Sequence, residues 1–525
     1  MQSSNDASVP KQFTLFVDRM LTGDGTNSQR PLDGLSLAAL AYIGLPVLIF
    51  LAAWLRWPFA IPSLALAVGA VWSALPQHRI CWRIPYTGNV LALIGATGIV
   101  WAAMSGGSHF VYANPDWLVR DAIIGDLTFT QWPPSYEYRD GAHYLLRSAI
   151  GFFLPIAAAA KLLGPQWLGT LVFTWTALGT ILFLLLLPLP IGSVTRLVLA
   201  LAVVISFSGL DVLGTLLLHG QLPIFPLRIE WWGEFAFRAA FSYSSLTGQL
   251  LWAPNHALPI WIATALFYRH WKQPDFIPYL CVLLPMLPLS TPFALPGLAP
   301  FLMFMLLDRW RNGQGIGRLP GPALAFALLV GGLILRFQTL DIDAIAVRSG
   351  AEVAATEGGD TLAFIRNYLV FVLMEFAVLG FALFPALRHS RGILALAMGV
   401  LALLPLLTLG PSNDLLLRVS TPSLVLMAIL CLRALFDNDS LLQCRKGFIA
   451  IILLVGANTP FNELWRAAAW RHWPADYTRT FLDTQGGILP PHYVGRLDDP
   501  VLRNLLHTPS LVPTAQQRKD NIMKP

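Results

Sequence analysis

Charged residues are scarce in this sequence of 525 residues: Asp, Glu, Lys and Arg make up 12% of it, whereas 55% of the residues are hydrophobic. A soluble protein carries about twice that charged fraction. Apolar runs such as LVFTWTALGTILFLLLLPL and FVLMEFAVLGFALFPAL reach the roughly 20 residues that cross a bilayer. The composition therefore excludes a soluble globular enzyme. It predicts an all-α, polytopic integral membrane protein.

Cysteine is scarce as well. The four cysteines, Cys81, Cys281, Cys431 and Cys444, show no metal-ligand spacing, and two of them flank basic stretches expected in the cytoplasm. A disulfide framework is therefore not expected. Basic residues are not interleaved with aromatic residues on a soluble segment, so the formal net charge of +6 does not indicate nucleic-acid binding.

The sequence begins without the features of a secretory signal. Residues 1–33 are polar and mixed, with neither a short apolar core nor a small-residue cleavage site. We expect them to form a cytoplasmic N-terminal segment.

Apolar segments are abundant between residues 34 and 460, which we expect to form one transmembrane domain. A windowed hydropathy criterion predicts about thirteen spans there. They are expected at residues 36–55, 58–75, 89–105, 167–189, 194–217, 254–269, 276–290, 292–308, 322–337, 364–386, 391–408, 420–435 and 446–460.

The placement of arginine and lysine predicts the orientation. Short basic connections, which the positive-inside rule places in the cytoplasm, alternate along the chain; they are QHRICWR, FYRHWKQ, DRWRNGQGIGR, LRHSRG and CLRALFDNDSLLQCRKG. The long connections then lie outside, at residues 106–166, 218–253, 338–363 and 409–419, together with a C-terminal tail at 461–525. Within the first of them, residues 149–164 are too short to span and are expected to lie along the interface as an amphipathic helix. We predict a bacterial inner-membrane protein with a cytoplasmic N-terminus and a periplasmic tail.

The stretch NPDWLVRDAIIGDL, residues 114–127, places several charges directly after a span. Asn114 is suited to an N-cap, Pro115 to the first helical position and Asp116 to the first turn, where an acid complements the helix dipole. One interpretation is helix-end electrostatics, with Asp116 paired to Arg120 four residues later. The other is functional, because an ionisable residue at the mouth of a helical bundle is costly unless it is used.

This stretch carries a resemblance to a known superfamily. An Asp after a span in the first long outer loop, followed by a helix reading RDAIIGDL, resembles the first-loop motif of GT-C glycosyltransferases, and so does the juxtamembrane segment YLLRSAIGFFLPIAAAAKLLGP. The resemblance implies a GT-C-like fold and inverting sugar transfer from a polyprenyl-phosphate donor, with Asp116 deprotonating the acceptor hydroxyl. GT-C loops often carry an acidic doublet, whereas Trp117 follows Asp116 here. Asp121 is the candidate for the second acid.

Two further stretches resemble an uncharacterised family of multi-span bacterial membrane proteins. In SSLTGQLLWAPNHALPIWIATAL, residues 244–266, Asn255 and His256 precede a span on the outer side. In SNDLLLRVSTPSL, residues 412–424, Asn413, Asp414 and Arg418 do the same. The three motifs are far apart in the chain but are predicted to lie on one face of the membrane.

The chemistry of sugar transfer suggests a role for each motif. An acceptor hydroxyl needs a carboxylate base within hydrogen-bond reach, and a phosphate leaving group needs cationic donors. Arg418 fits the second need, because a guanidinium binds phosphate through two parallel hydrogen bonds. His256 would bond the same phosphate or the sugar. The alternatives are a helix-end arginine and an interfacial histidine between Trp252 and Trp261.

The candidate substrate-binding and donor-phosphate-binding residues come from the same outer segments. They are Arg120, Asp140, His143, Arg147, Asn255, His256, Asn413, Asp414 and Arg418. Three of these belong to QWPPSYEYRDGAHYLLR, residues 131–147, which either lines a saccharide site or is a solvated loop behind a Pro-Pro turn.

The other outer segments give weaker indications. The paired tryptophans of IEWWGEFAFR, Trp231 and Trp232, are typical of membrane anchors. The acidic stretch at 341–360 lacks the spacing of an EF-hand. We therefore expect no obligatory metal and no cofactor. The expected partners are a lipid-phosphate sugar as donor substrate, a glycan or lipid acceptor and the bilayer, but no nucleic acid.

Two other functions are open at this point. A polymerase or ligase of envelope polysaccharide would use outer Arg and His residues without an essential first-loop acid. A transporter or flippase of a lipid-linked saccharide would instead need ionisable residues inside the spans, for which Glu375 and Asp211 are candidates.

Overall fold

A computed structural model describes the chain over most of its length. The residues described are 32–75, 86–138, 141–225, 229–235, 239–344, 347–349, 352, 361–387, 390–409, 413–436 and 443–522. Most of them are helical, and the strands among them are only two to four residues long. The chain is thus mainly a bundle of helices, as its composition predicts.

The helices of the described residues are numbered in chain order. They are α1 Gly34–Trp54, α2 Trp57–Ala74, α3 Gly88–Ala103, α4 Asp116–Phe129, α5 Phe153–Leu163, α6 Leu168–Leu186, α7 Val194–Ile205, α8 Asp211–His219, α9 Leu246–Trp252, α10 Pro254–His270, α11 Phe276–Ser290, α12 Ala294–Arg311, α13 Gly321–Gln338, α14 Thr361–Val372, α15 Val378–Leu383, α16 Arg391–Leu403, α17 Asp414–Val419, α18 Thr421–Phe436, α19 Gln443–Gly456, α20 Asn458–Ala469, α21 Phe481–Thr484, α22 Pro500–Leu505 and α23 Ala515–Ile522. A π-helical turn, Leu373–Ala377, joins α14 to α15.

Seven helical segments of the described residues are long and apolar enough to cross a membrane. They are Gly34–Trp54, Trp57–Ala74, Pro165–Leu186, Gly321–Gln338, Leu362–Leu383, Asp414–Phe436 and Gln443–Ala469. Shorter apolar helices occupy Gly88–Ala103, Ile150–Leu163, Val194–Ile205, Phe276–Ser290 and Arg391–Leu406. The chain therefore has the helices of a multi-pass membrane protein, whereas the count of thirteen spans remains a prediction.

The bundle is built around α10 and α18, which pack against each other. Both are buried along nearly their whole length, as expected for helices that are apolar on all sides. Each begins beside a polar segment that the sequence singles out: α10 starts with Pro254, Asn255 and His256, and α17 leads directly into α18. The two central helices therefore position the second and third motifs.

The expected span at 194–217 is not one continuous helix. The chain leaves the helix after Ile205 and re-enters it at Asp211. The Ser208 hydroxyl donates to the Asp211 carboxylate at 2.9 Å, a local bond that competes with helical pairing. The amide of Leu210 donates to the carbonyl of Met374 in the π-helical turn at 3.0 Å. Hydropathy does not detect this interruption, because the intervening residues are mostly apolar or small.

The strands of the described residues form three small sheets. They are β1 Pro134–Glu137, β2 His143–Leu146, β3 Gly233–Phe235, β4 Ala239–Phe241, β5 Val347–Ser349, β6 Leu407–Leu409, β7 Val494–Arg496 and β8 Ser510–Leu511. The largest sheet has the order β7-β2-β1-β8 and pairs β1 with β8 in parallel. The tail, expected from the sequence to be a region of its own, thus shares a sheet with the first long loop. The stretch at 131–147 contains a hairpin within this sheet.

A buried ion pair holds the tail against α4. Arg518 of α23 is bonded to Asp126, and both side chains are 0% exposed. The Tyr136 hydroxyl also donates to Asp126, and so does the amide of Phe481, at 3.0 Å. Strand β1, the tail and α4 therefore form one packed unit, and α4 carries the first motif. We call it the outer unit, after the face of the membrane on which the sequence predicts it.

Candidate functional site

The first motif starts α4 much as its sequence predicts, with the helix beginning at Asp116. Asn114 Oδ1 accepts a hydrogen bond from the Asp116 amide at 3.1 Å, while its side-chain amide donates to the Leu251 carbonyl at 2.6 Å. The N-cap is Pro115, whereas the sequence predicts Asn114, so the helix begins one residue later than expected. Asn114 therefore both starts α4 and fixes it to the end of α9.

Arg120 strengthens the same attachment. Its Nη2 donates to the Trp252 carbonyl and lies 3.3 Å from Asp116 Oδ2, which is the pairing that the four-residue spacing predicts. The guanidinium also lies over the Trp117 ring, at 5.3 Å from its centroid. Arg120 is buried, whereas the Asp116 side chain is 49% exposed. The carboxylate is thus held in place by a buried cation but stays accessible.

The second motif lies at the start of α10, directly after the carbonyls that α4 engages. Asn255 is buried, and its Oδ1 has no hydrogen-bond partner among the described residues; the same is true of His256 Nδ1. The aromatic ring next to His256 is Phe293, at 6.2 Å between centroids. Trp252 and Trp261, the expected neighbours in an aromatic belt, donate instead to Glu463 and Gln249. Both indole N–H groups are thus bonded within the bundle, and the interfacial alternative for His256 stays a prediction.

The third motif forms the short helix α17. Asn413 has a left-handed backbone with φ 48°, and its Oδ1 accepts from the amides of Leu409 and Leu416 at 3.2 and 3.4 Å. It therefore holds the turn before α17. Arg418 Nη2 lies 3.9 Å from Asp414 Oδ1, and the Arg418 side chain is 15% exposed. Its Nε is buried without a hydrogen-bond partner among the described residues.

The three motifs converge. Arg418 interacts electrostatically with Asp414, Arg120 and Asp116, and His256 interacts with Arg418 and Arg120. Residues of α4, α10 and α17 are thus close enough to interact electrostatically: Asp116 and Arg120 lie near the start of α4, His256 lies near the start of α10, and Arg418 lies in the last turn of α17. We call these five residues, Asp116, Arg120, His256, Asp414 and Arg418, the outer cluster, after the face of the membrane on which the sequence predicts them.

Two residues of the tail join the outer cluster without having been expected there. Tyr493 interacts with Arg120, Asp414, Asp116 and Arg418, and burial raises the pKa of its phenol. The His492 ring lies 4.7 Å from the Tyr493 ring between centroids, tilted by 53°. His492 interacts electrostatically with Asp414 and Arg147, and burial lowers the pKa of its imidazole. The signal for them in the sequence is the PPHY stretch, where a histidine and a tyrosine follow a Pro-Pro pair in the tail.

Asp121 lies on a different side of α4 from Asp116. Five residues along a helix turn the side chain by about 140°, and Asp121 is buried with its Oδ2 at 2.9 Å from His109 Nε2. Burial raises the pKa of the Asp121 carboxyl, while His109 acts to lower it. The role of second acid stays a prediction, and the structure places Asp121 in this internal pair.

Arg147 and His143 lie outside the outer cluster. Arg147 is buried and donates to the carbonyls of Gln338 and Pro491 at 2.7 and 2.6 Å. Burial lowers its pKa to about 10, so Arg147 remains cationic at neutral pH. His143 is exposed at one end of β2, where it lines a cleft of about 370 Å³ with Arg496, Asp498 and Arg503 among others. Asp140 lies outside the described residues.

The described residues contain no group of three or more His, Cys, Asp or Glu side chains that could hold a metal ion. The expectation of a metal-free site stays a prediction.

No protein-family model, no curated protein and no solved structure matches the chain.

Proposed function

We propose that the protein is a membrane glycosyltransferase with a GT-C-like core. It transfers a sugar from a polyprenyl-phosphate-type donor to a lipid-linked or cell-envelope glycan on the periplasmic side of the inner membrane. The observation that carries the proposal is the state of Arg418. Its guanidinium is 15% exposed, has a buried Nε without a partner among the described residues, and lies in the field of Arg120.

A mostly buried guanidinium with an unpaired N–H group is suited to binding an anion. Leaving donors unsatisfied in a mostly buried position costs free energy, and a phosphate oxygen removes that cost. Arg120 Nη1 and His256 Nδ1 are also buried without partners among the described residues. The N-terminal end of α10, which adds a partial positive charge, lies at the same place. These groups together form a site for the phosphate of the donor.

Asp116 supplies the base in this proposal. Its carboxylate accepts the proton of the acceptor hydroxyl as that oxygen attacks the anomeric carbon of the sugar. The bond from the anomeric carbon to the phosphate oxygen breaks, and its electron pair remains on the phosphate. Arg120 and Arg418 stabilise the charge that develops there. Attack opposite the leaving group inverts the anomeric configuration.

The test is sugar transfer by the purified full-length chain in proteoliposomes, with polyprenyl-phosphate hexoses and pentoses as donors and envelope lipid extract as acceptor. Asp116→Asn should lower the rate by about 10²–10⁴-fold, the usual contribution of a general base. Arg418→Gln should weaken donor binding by about tenfold or more. The matched controls are Asp520→Asn and Arg479→Gln, since Asp520 is exposed on α23 and Arg479 is an exposed arginine of the tail.

The result of Asp116→Asn separates the enzymes considered. Full turnover by this variant would eliminate Asp116 as the base and favour a polymerase or ligase that relies on Arg and His. Donor affinity that is equal in the Arg418→Gln and Arg479→Gln variants would remove the phosphate assignment.

A transporter of a lipid-linked saccharide is the second candidate, and the interruption between α7 and α8 favours it. The Trp232 indole donates to Asp211 at 3.0 Å and to Glu375 at 2.8 Å, so two buried acids meet where one helix is broken and another has a π-helical turn. Broken helices with ionisable residues are typical of transporters. Glu375→Gln separates the two functions: it should leave sugar transfer intact if the protein is the proposed enzyme, and abolish lipid-linked saccharide flux if it is a transporter.

A further inference from the structure

The turn at residues 490–493 of the tail is fixed in position beside the outer cluster. The Tyr493 carbonyl accepts hydrogen bonds from the amides of Arg147 and Ser148, both at 3.0 Å. The Arg147 guanidinium donates to the Pro491 carbonyl at 2.6 Å. Strand β7 begins at the next residue, Val494, and pairs with β2. The backbone of Tyr493 is thus held by the largest sheet of the outer unit.

The Tyr493 side chain is directed by two rings. Its centroid lies 5.0 Å from that of Phe481 and 4.7 Å from that of His492. The hydroxyl makes no hydrogen bond to another residue in the described part of the chain, and the side chain interacts with both arginines of the outer cluster. Burial raises the pKa of the phenol, so the hydroxyl keeps its proton at neutral pH and is able to donate it.

We infer that the Tyr493 hydroxyl donates a hydrogen bond to the phosphate of the lipid donor, beside Arg120 and Arg418, so that the tail supplies one wall of the binding site. This inference rests on the proposed function. A phosphate oxygen is a pure acceptor, and the unengaged donors around the cluster belong to α4, α10, α17 and, through Tyr493, the tail. Arg147 then acts indirectly: it positions the turn that bears Tyr493 and does not contact the phosphate.

The experiment measures binding without any sugar transfer. The full-length protein in phosphatidylcholine nanodiscs is titrated with polyprenyl phosphate, and inorganic phosphate serves as a soluble competitor. Tyr493→Phe keeps the ring on Phe481 and His492 but removes the hydroxyl. It is expected to raise the Kd for polyprenyl phosphate about tenfold, the effect of losing one hydrogen bond to a charged group. The control is Tyr144→Phe, which removes a hydroxyl from the neighbouring strand β2.

The outcomes distinguish failure of the Tyr493 assignment from failure of the proposed function. Equal affinity in the two variants overturns the role of Tyr493 and leaves the proposed function standing. No binding of polyprenyl phosphate by the unaltered protein overturns both. A ligand-free Tm that is lower for Tyr493→Phe than for Tyr144→Phe assigns the effect to packing and overturns the hydrogen bond. If inorganic phosphate displaces the lipid at concentrations similar to the Kd of the lipid, the protein recognises the phosphate group itself. This result supports the inference.

Discussion

Removal of Arg518 is the sharpest test of how the outer unit is held together. In Arg518→Ala, Asp126 loses its cationic partner but keeps the bonds from the Tyr136 hydroxyl and the Phe481 amide. The variant also loses the bonds from Arg518 to the carbonyls of Tyr477 and Arg479, at 3.3 and 3.0 Å. Because both members of the ion pair are 0% exposed, water cannot replace the guanidinium without entering the core of the unit.

The expected cost follows from that burial. Breaking a fully buried ion pair by removing one partner costs about 3–5 kcal/mol, whereas whole domains are stable by only about 5–15 kcal/mol. The outer unit should therefore open locally before the helical bundle unfolds. Opening separates β8 from β1, which removes the bonds from the Ser510 amide to the Pro133 carbonyl at 2.9 Å and from the Val512 amide to the Ser135 carbonyl at 3.0 Å.

Hydrogen exchange measures this opening directly. The amides of Ser510 and Val512 should exchange at least about a hundredfold faster in Arg518→Ala, because each 1.4 kcal/mol corresponds to a factor of ten. Arg479→Ala, which removes an exposed ion pair of the tail, is the control and should change the exchange little.

The pH dependence of stability gives a second measurement on Arg518→Ala. Burial raises the pKa of Asp126, while Arg518 acts to lower it. With Arg518 present, the folded-state pKa of Asp126 already lies above the unfolded value of about 3.9, and loss of Arg518 raises it further. The folded unit then binds more protons than the unfolded one, so the stability of the variant falls as pH rises from the unfolded towards the folded pKa.

Two results would refute this reasoning. One is a loss of less than about 1 kcal/mol in Arg518→Ala, as found for exposed ion pairs. The other is strict additivity of Asp126→Asn and Arg518→Ala in a double-mutant cycle, since contacting residues should be coupled.

Two further predictions concern the same unit. Gly125→Ala places a Cβ at 2.3 Å from the Tyr477 carbonyl oxygen, so it should displace the tail from α4 and destabilise the unit by about 1–3 kcal/mol; a Tm equal to that of the unaltered protein would contradict this close approach. Burial lowers the pKa of His492, so the stability that its neutral form contributes is complete above the unfolded pKa of about 6.5 and is lost as pH falls below it. His492→Gln should reduce the fall in Tm below about pH 6.5, and an unchanged profile would assign the dependence to other groups.

The sequence predicts where helices occur better than it predicts where a helix is interrupted. Apolar runs indicate most helices within a few residues, because bilayer-length hydropathy and helical structure coincide in such chains. The break before Asp211 escapes a hydropathy window, since it depends on the distant backbone of Met374. The largest sheet escapes as well, because two-residue to four-residue strands carry little pattern and pair with partners far along the chain.

The candidate site is predictable from the sequence only where the signals are local. Asp116, His256 and Arg418 were singled out by local signals, namely ionisable residues beside spans on one face, and the structure brings them together. The PPHY stretch marks Tyr493 as a candidate but does not predict its position beside the arginines, because that position depends on the pairing of β7 with β2. The pairing of Asp121 with His109 also lacks a sequence pattern. His109 precedes α4, and its left-handed backbone, with φ 58°, places its ring beside Asp121.

The parallel pairing of β1 with β8 has a consequence for biosynthesis. A ribosome makes β1 early, whereas β8 is made only after every helix from α5 to α22. Until then β1 presents an unpaired edge, and the loop that holds Asp116 lacks one of its supports. The protein therefore cannot acquire its outer architecture step by step from the N-terminus, and a nascent chain halted before residue 510 would present an open strand for chaperones or proteases to recognise.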